Sequence, residues 1–165
     1  MKKLRIPILI LGIAILSGCG SSVRIFTDVD ESGRFDQYGT YNFLDFSDGN
    51  KKSVTQMELE RIRVAFTREL EKRGLEYVED SSDISVKITI YHREAKDHYL
   101  YHRGSYNYME RAIAVDVYDN QTRKHVWHGA AVGELDNDSA ERAEEIPVIA
   151  STLFEEYPVH LPTEN

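Results

Sequence analysis

The sequence predicts a single α+β domain: a mainly antiparallel sheet of about five to six strands with two helices packed on one face. Three observations predict it. Ile84, Val86, Ile88 and Ile90 alternate with Ser85, Lys87, Thr89 and Tyr91, the period of a sheet with one buried face. Leu59, Ile62, Phe66 and Leu70 recur at helical spacing, with Val64 and Ala65 beside that stripe. The order of elements, strands then helix then strands then helix, places the helices together over one side of the sheet.

Each element has its own signal. Residues 23–29 mix apolar and polar positions as a first strand. Gly33 and Gly39 break the chain before the aromatic-rich stretch 40–46, a second strand. Ser47, Asp48, Gly49 and Asn50 read as a loop. Thr55 caps the first helix with Glu58 three residues on, and Gly74 ends it. Glu58, Glu69, Arg73 and other charged residues are expected on its solvent side. Residues 75–78 form a short strand, 84–91 the clearest one, and 112–118 another with Ile113, Val115 and Val117 inward. After a turn at 119–124, residues 125–132 form the return strand, with His125 and Trp127 on one face and His128 on the other. Asn137, Asp138 or Ser139 starts a final helix through Ile146, Ile149, Leu153 and Phe154. Pro147 in its middle predicts a helix that starts late or bends.

The first 18 residues have a different character. Lys2, Lys3 and Arg5 precede an apolar run over 6–16, broken by Pro7 and Gly12. The run is too short for the ~20 residues of a bilayer span but fits a signal sequence. It ends in Leu16-Ser17-Gly18-Cys19, which resembles the lipobox of bacterial lipoproteins: the thiol accepts a diacylglyceryl group and small residues before it fit the signal peptidase. The expected organisation is a signal over 1–18, lipidation at Cys19, a tether over 19–22, one domain over 23–158 and a tail over 159–165. Two or more acyl chains anchor stably where one does not. Gly20 replaces the Asp that resembles an inner-membrane retention signal, so the expected location is the periplasmic face of the outer membrane.

Charge narrows the partners. The signal holds three of the 20 basic residues and none of the 28 acidic ones, so the mature chain carries a net charge of −11. That excludes nucleic acid as a natural partner and disfavours anionic head groups. Cys19 is the single cysteine, so an exported domain has no disulfide and no thiolate metal site, and its core must hold it.

The segment 92–108 is the most distinctive. It holds His92, His98 and His102 among Tyr91, Tyr99, Tyr101, Tyr106 and Tyr108. With a turn at Arg103-Gly104-Ser105, residues 97–102 and 105–110 form a hairpin that extends the central strands. Tyr99 and Tyr101 share a face, as do Tyr106 and Tyr108. His98 and His102 lie on the other face, roughly 13 Å apart, too far for one metal ion. Aromatic cross-strand pairing explains the ribbon most simply; a tyrosine platform for glycan or peptide is the functional alternative, and a transition-metal site the third. His125 and His128 around Trp127 read as sheet packing rather than ligation. Glu134, Asp136, Asn137 and Asp138 lack the glycine and distal Glu of an EF-hand. Neither a nucleophile elbow nor a glycine-rich phosphate loop occurs. No cofactor, no resident metal and no enzymatic activity are expected.

The motifs also resemble a known family. Phe35-Asp36-Gln37-Tyr38-Gly39-Thr40-Tyr41, the helix segment Arg61-Ile62-Arg63 with Leu70, Arg73 and Gly74, Asp83 before the alternating strand, and Asp116-Val117-Tyr118-Asp119 through Val126-Trp127-His128-Gly129 together resemble domain of unknown function 4136, found in bacterial lipoproteins. The resemblance spans most of residues 23–158 and departs from many relatives between His92 and Arg111. It implies an exported lipoprotein domain and carries no catalytic residues. The expected function is therefore a lipid-anchored interaction or assembly module, held to the membrane through Cys19 and contacting another envelope component, an envelope protein or glycan, through a sheet edge or the Tyr/His ribbon. The alternative is a cell-wall or glycan binder using Tyr99, Tyr101, Tyr106 and Tyr108.

Overall fold

The computed structural model describes residues 23–45, 47–48, 54–98, 105–134 and 138–159. The strands are β1 (Arg24–Val29), β2 (Thr40–Phe43), β3 (Ser47–Asp48), β4 (Glu76–Tyr77), β5 (Ile84–His98), β6 (Ser105–Asp119) and β7 (Lys124–Glu134); the helices are α1 (Gln56–Lys72) and α2 (Ser139–Glu155). They form one sheet in the order β1-β7-β6-β5-β2-β4, with β3 also on β5. The β1–β7, β7–β6 and β6–β5 ladders are antiparallel, whereas β2 and β3 run parallel to β5 and β4 runs parallel to β2. The domain is α+β as expected, with a mixed sheet. The parallel half follows from α1, which carries the chain back across the sheet between β2 and β4, a connection that parallel neighbours require.

Both helices lie on one face. Ile62, Phe66 and Leu70 of α1 and Ile146, Ala150, Leu153 and Phe154 of α2 close over Ile84, Val86, Ile88, Ile90, Ile113, Val115, Val117 and Trp127, in one core. Thr55 caps α1 by accepting from the Glu58 amide at 3.2 Å. Gly74, at φ +83°, ends it: the Gly74 amide donates to Glu71 O and the Leu75 amide to Leu70 O, a Schellman closure that needs the left-handed residue. Val64, beside the apolar stripe, is exposed.

Four local expectations change. Ser47 and Asp48 pair with Thr89 and Ile90 rather than forming a loop; a two-residue strand carries too short a pattern to read. The clearest strand runs on from Tyr91 to His98, and its partner starts at Ser105, so residues 105–110 pair with 93–98 rather than with 97–102. Helix α2 does not start late and runs on through Pro147: Asp138 caps it by accepting from the Ala140 amide at 2.7 Å. Pro147 sits on the exposed side, where water can serve the Ala143 carbonyl that lost its donor. Finally, Glu58 and Glu69 are buried rather than solvated.

Candidate functional site

The face of the sheet away from the helices is uncovered by any described element, and its residues align in rows across four strands. Thr89, Ala114, Ala130 and Phe26 form one row; Tyr91, Ala112, Val132 and Arg24 the next; Lys87, Asp116, His128 and Asp28 the third. Small side chains fill the middle, while Phe26 (53 % exposed) and Tyr91 (47 %) stand at opposite edges of the patch.

A β-bulge decides what else reaches this face. Val117 pairs with Trp127, but Tyr118 pairs with His125, so Val126 is an extra residue in β7. Val126 and Trp127 are both buried, and the bulge carbonyl of Val126 accepts from the Asp30 amide at 2.9 Å. The added residue shifts the alternation by one. His125 therefore shares the open face with His128, not the core face with Trp127 as strict alternation predicts. The signal in the sequence is the adjacent apolar pair Val126-Trp127 in an otherwise alternating strand.

The two rings flank one carboxylate. Asp116 Oδ1 lies 2.7 Å from His128 Nδ1 and 3.1 Å from His125 Nε2. Donor atoms of all three residues fall within 4.8 Å of one another. Tyr118 stacks on the His125 ring with centroids 4.9 Å apart. The side chains are 18 % (Asp116), 42 % (His125) and 36 % (His128) exposed, so the cluster is held in place yet open to solvent. A hollow of about 160 Å³ adjoins it, lined in part by Asp28 and Asp30.

Other polar clusters are committed to the fold. Arg111 Nη1 donates to Glu58 Oε1 at 2.5 Å, with both side chains under a tenth exposed. Arg73 is buried too: it donates to Glu69 Oε2 at 2.9 Å, to Phe154 O and to Val159 O. At the end of the sheet away from the β5–β6 tip, a hollow of about 540 Å³ is bordered by Arg34, Tyr38, Asp83 and Asp119. Asp119 accepts from the Gln121 and Thr122 amides at 2.8 Å, from Tyr38 Oη at 2.9 Å and from Arg34 Nη2 at 3.2 Å. Burial alone raises its pKa, but these hydrogen bonds outweigh burial and hold it at about 2. Asn120 donates to Ser82 and accepts from Ser85. These groups are spent on one another.

Of the residues singled out in the sequence, Tyr106 and Tyr108 lie in β6, their backbones opposite Asp97 and Ala95; their side chains lie outside the described set. Tyr99, Tyr101, His102 and Cys19 lie outside the described residues, as do Asp136 and Asn137 of the acidic run. No described helix is long and apolar enough to cross a membrane.

The profile of the domain of unknown function DUF4136 matches residues 25–159. The chain belongs to this family. No curated protein matches the chain significantly. A PDZ domain protein from Parabacteroides distasonis is similar in fold, with a TM-score of 0.54 at 15 % identity over 85 % of this chain and 37 % of that one. This chain thus spans well under half of that protein's length. The PelC dodecamer subunit from Paraburkholderia phytofirmans gives 0.49 at 8 % identity over 79 % and 96 % of the two chains. A minor lipoprotein from Acinetobacter baumannii gives 0.37 at 9 % identity over 72 % and 91 %.

In this DUF4136 domain the motif residues do structural work. Tyr38 and Asp119 tie the segment before β2 to the β6–β7 turn. Asp83 accepts from the Gly39 and Thr40 amides and from Thr40 Oγ1, each at 2.9 Å, which sets β2 beside β5. Tyr41 is fully buried. Gly129 sits under the Trp127 indole: a Cβ there would stand 2.5 Å from the ring and 3.2 Å from Leu153. The motifs define the fold; Asp116 and His128 of the open-face cluster lie within them as well.

Proposed function

We propose that this protein is a lipid-anchored, non-enzymatic envelope module that docks a protein partner on the uncovered face of its sheet, at the periplasmic side of the outer membrane. The observation that carries the reading is that face. Its centre carries the small side chains of Ala112 and Ala130 beside buried Ala114 and Thr89, and Phe26 and Tyr91 present large exposed rings at its edges. Exposed aromatic rings beside small side chains suit a protein partner.

The position of the anchor supports it. The described residues begin at Val23, which packs against the core, so the four residues 19–22 allow at most about 14 Å between a lipidated Cys19 and Val23. β1 starts level with Ala112 and Tyr91, so its first residue lies toward the end of the sheet that carries the β5–β6 tip. Beyond Glu134, five β5–β6 residue pairs, from Glu94↔Met109 to His98↔Ser105, have only each other as ladder partners among the described residues. They make an arm about 17 Å long at the end of the sheet where β1 begins.

Two measurements test the reading. Cys19→Ala should release the protein from the membrane fraction. In native gels of mildly solubilised envelope, the wild type should run in a complex, and Phe26→Glu with Tyr91→Glu should reduce it to the free lipoprotein. A wild type that runs free would sink the proposal. The tyrosine-rich sequence favours one second reading, glycan binding by Tyr99, Tyr101, Tyr106 and Tyr108; peptidoglycan retention unchanged after all four become Ala would remove it.

A further inference from the structure

We infer that Asp116, His125 and His128 form a binding site for a divalent transition-metal ion of the zinc class, independent of the docking role above. Three arguments meet there. The first is donor chemistry. Two imidazole nitrogens and one carboxylate oxygen form the ligand set that suits zinc, nickel or copper over calcium or magnesium.

The second is geometry. Donors at about 2.0–2.2 Å from a tetrahedral zinc stand about 3.3 Å apart. Asp116 Oδ1 is already 2.7 Å from His128 Nδ1 and 3.1 Å from His125 Nε2, and the whole trio lies within 4.8 Å. Small side-chain rotations open the two short separations and bring the rings to a common point. Three protein ligands leave a fourth position, and the hollow of about 160 Å³ beside the rings has room for water there. Asp28, paired with His128 in the β1–β7 ladder, adds negative charge at its rim.

The third is how the trio is assembled. Histidines three residues apart on a regular strand point to opposite faces. Here the bulge at Val126 turns both to Asp116, the cross-strand neighbour of His128, and Tyr118 fixes the His125 ring by stacking. In the metal-free form Asp116 Oδ1 accepts an N–H from a ring. Metal binding requires each neutral ring to carry its proton on the far nitrogen, with the near lone pair turned to the ion.

The test uses the full-length lipidated protein in detergent. Zn(II) titration by calorimetry should give one ion per chain, and Co(II) should show the visible absorption of a tetrahedral site. His125→Asn, His128→Asn and Asp116→Asn should each weaken Zn(II) binding by at least ~10-fold, since a direct ligand matters no less than its supporting shell. Glu79→Gln, an exposed carboxylate after β4, should leave it unchanged. If the variants fold poorly, Zn(II) should still protect His125 and His128 of the wild type from diethyl pyrocarbonate, read by mass spectrometry. Absence of a bound ion, binding that survives the His125→Asn/His128→Asn double change, or unprotected rings would each overturn the assignment and leave a hydrogen-bonded trio.

Discussion

Strand β6 carries two charged residues five positions apart that meet opposite fates. Arg111 points to the helices and Asp116 to the open face. Arg111 is closed into an ion pair with Glu58 at the start of α1, both nearly inaccessible, and burial pulls its pKa down despite the attraction of Glu58 and Glu145. Asp116 meets two half-exposed imidazoles in water. Alternation along one strand thus separates a charge spent on the fold from one left open to a ligand. The lesson is that polarity alone does not mark a site; polar groups whose donors converge and stay accessible do.

The largest effect expected is at the covered face. Glu58→Ala leaves Arg111 buried without its main partner and should cost about 3–5 kcal/mol in chemical denaturation. Arg111→Met in the same chain should recover much of that loss. A cost below about 1 kcal/mol would break the comparison, because it would make Glu58–Arg111 no different from a surface pair.

A smaller, pH-dependent effect is expected at Asp119, where the carboxylate is held by four donors. Its folded pKa of about 2 lies below the unfolded value of about 3.9. The ionised form therefore stabilises the fold above about pH 4, and that contribution is lost as pH falls toward 2. The stability gap between wild type and Asp119→Asn should be constant above pH 5 and narrow between pH 4 and 2. A gap that does not change with pH would mean that packing, not charge, holds this turn.

The smallest effect is expected on the open face. Asp116→Asn should change unfolding free energy by less than about 1 kcal/mol, since its partners remain solvated. A loss as large as that of Glu58→Ala would make the trio a structural element instead of a ligand site.

The fold was legible where patterns are local. Thr55 and Gly74 bound α1, Ile84 to Ile90 mark the central strand, and the resemblance through Tyr38, Asp83 and Gly129 matches the family found. What escaped was long-range. Glu58 and Arg111 are 53 residues apart, and nothing near either announces the other. Glu58 has capping-box spacing, yet its carboxylate crosses to β6. The His125 side switch depends on one extra residue in a ladder, invisible to a strict two-residue period. The parallel β2–β5 pairing follows from the α1 crossover, which short strands of two to four residues do not reveal. The tyrosine ribbon was read from composition, and Tyr99 and Tyr101 fall outside the described residues.

The central claim is that the uncovered sheet face, not the helical layer, meets the partner. Photo-crosslinking amino acids in living cells test it directly, one placed at Phe26 or Tyr91 and one at Met57 or Val148, exposed positions on α1 and α2. The account predicts a discrete crosslinked envelope protein from the first pair and none from the second. Crosslinks from Met57 or Val148 with none from Phe26 or Tyr91 would contradict it.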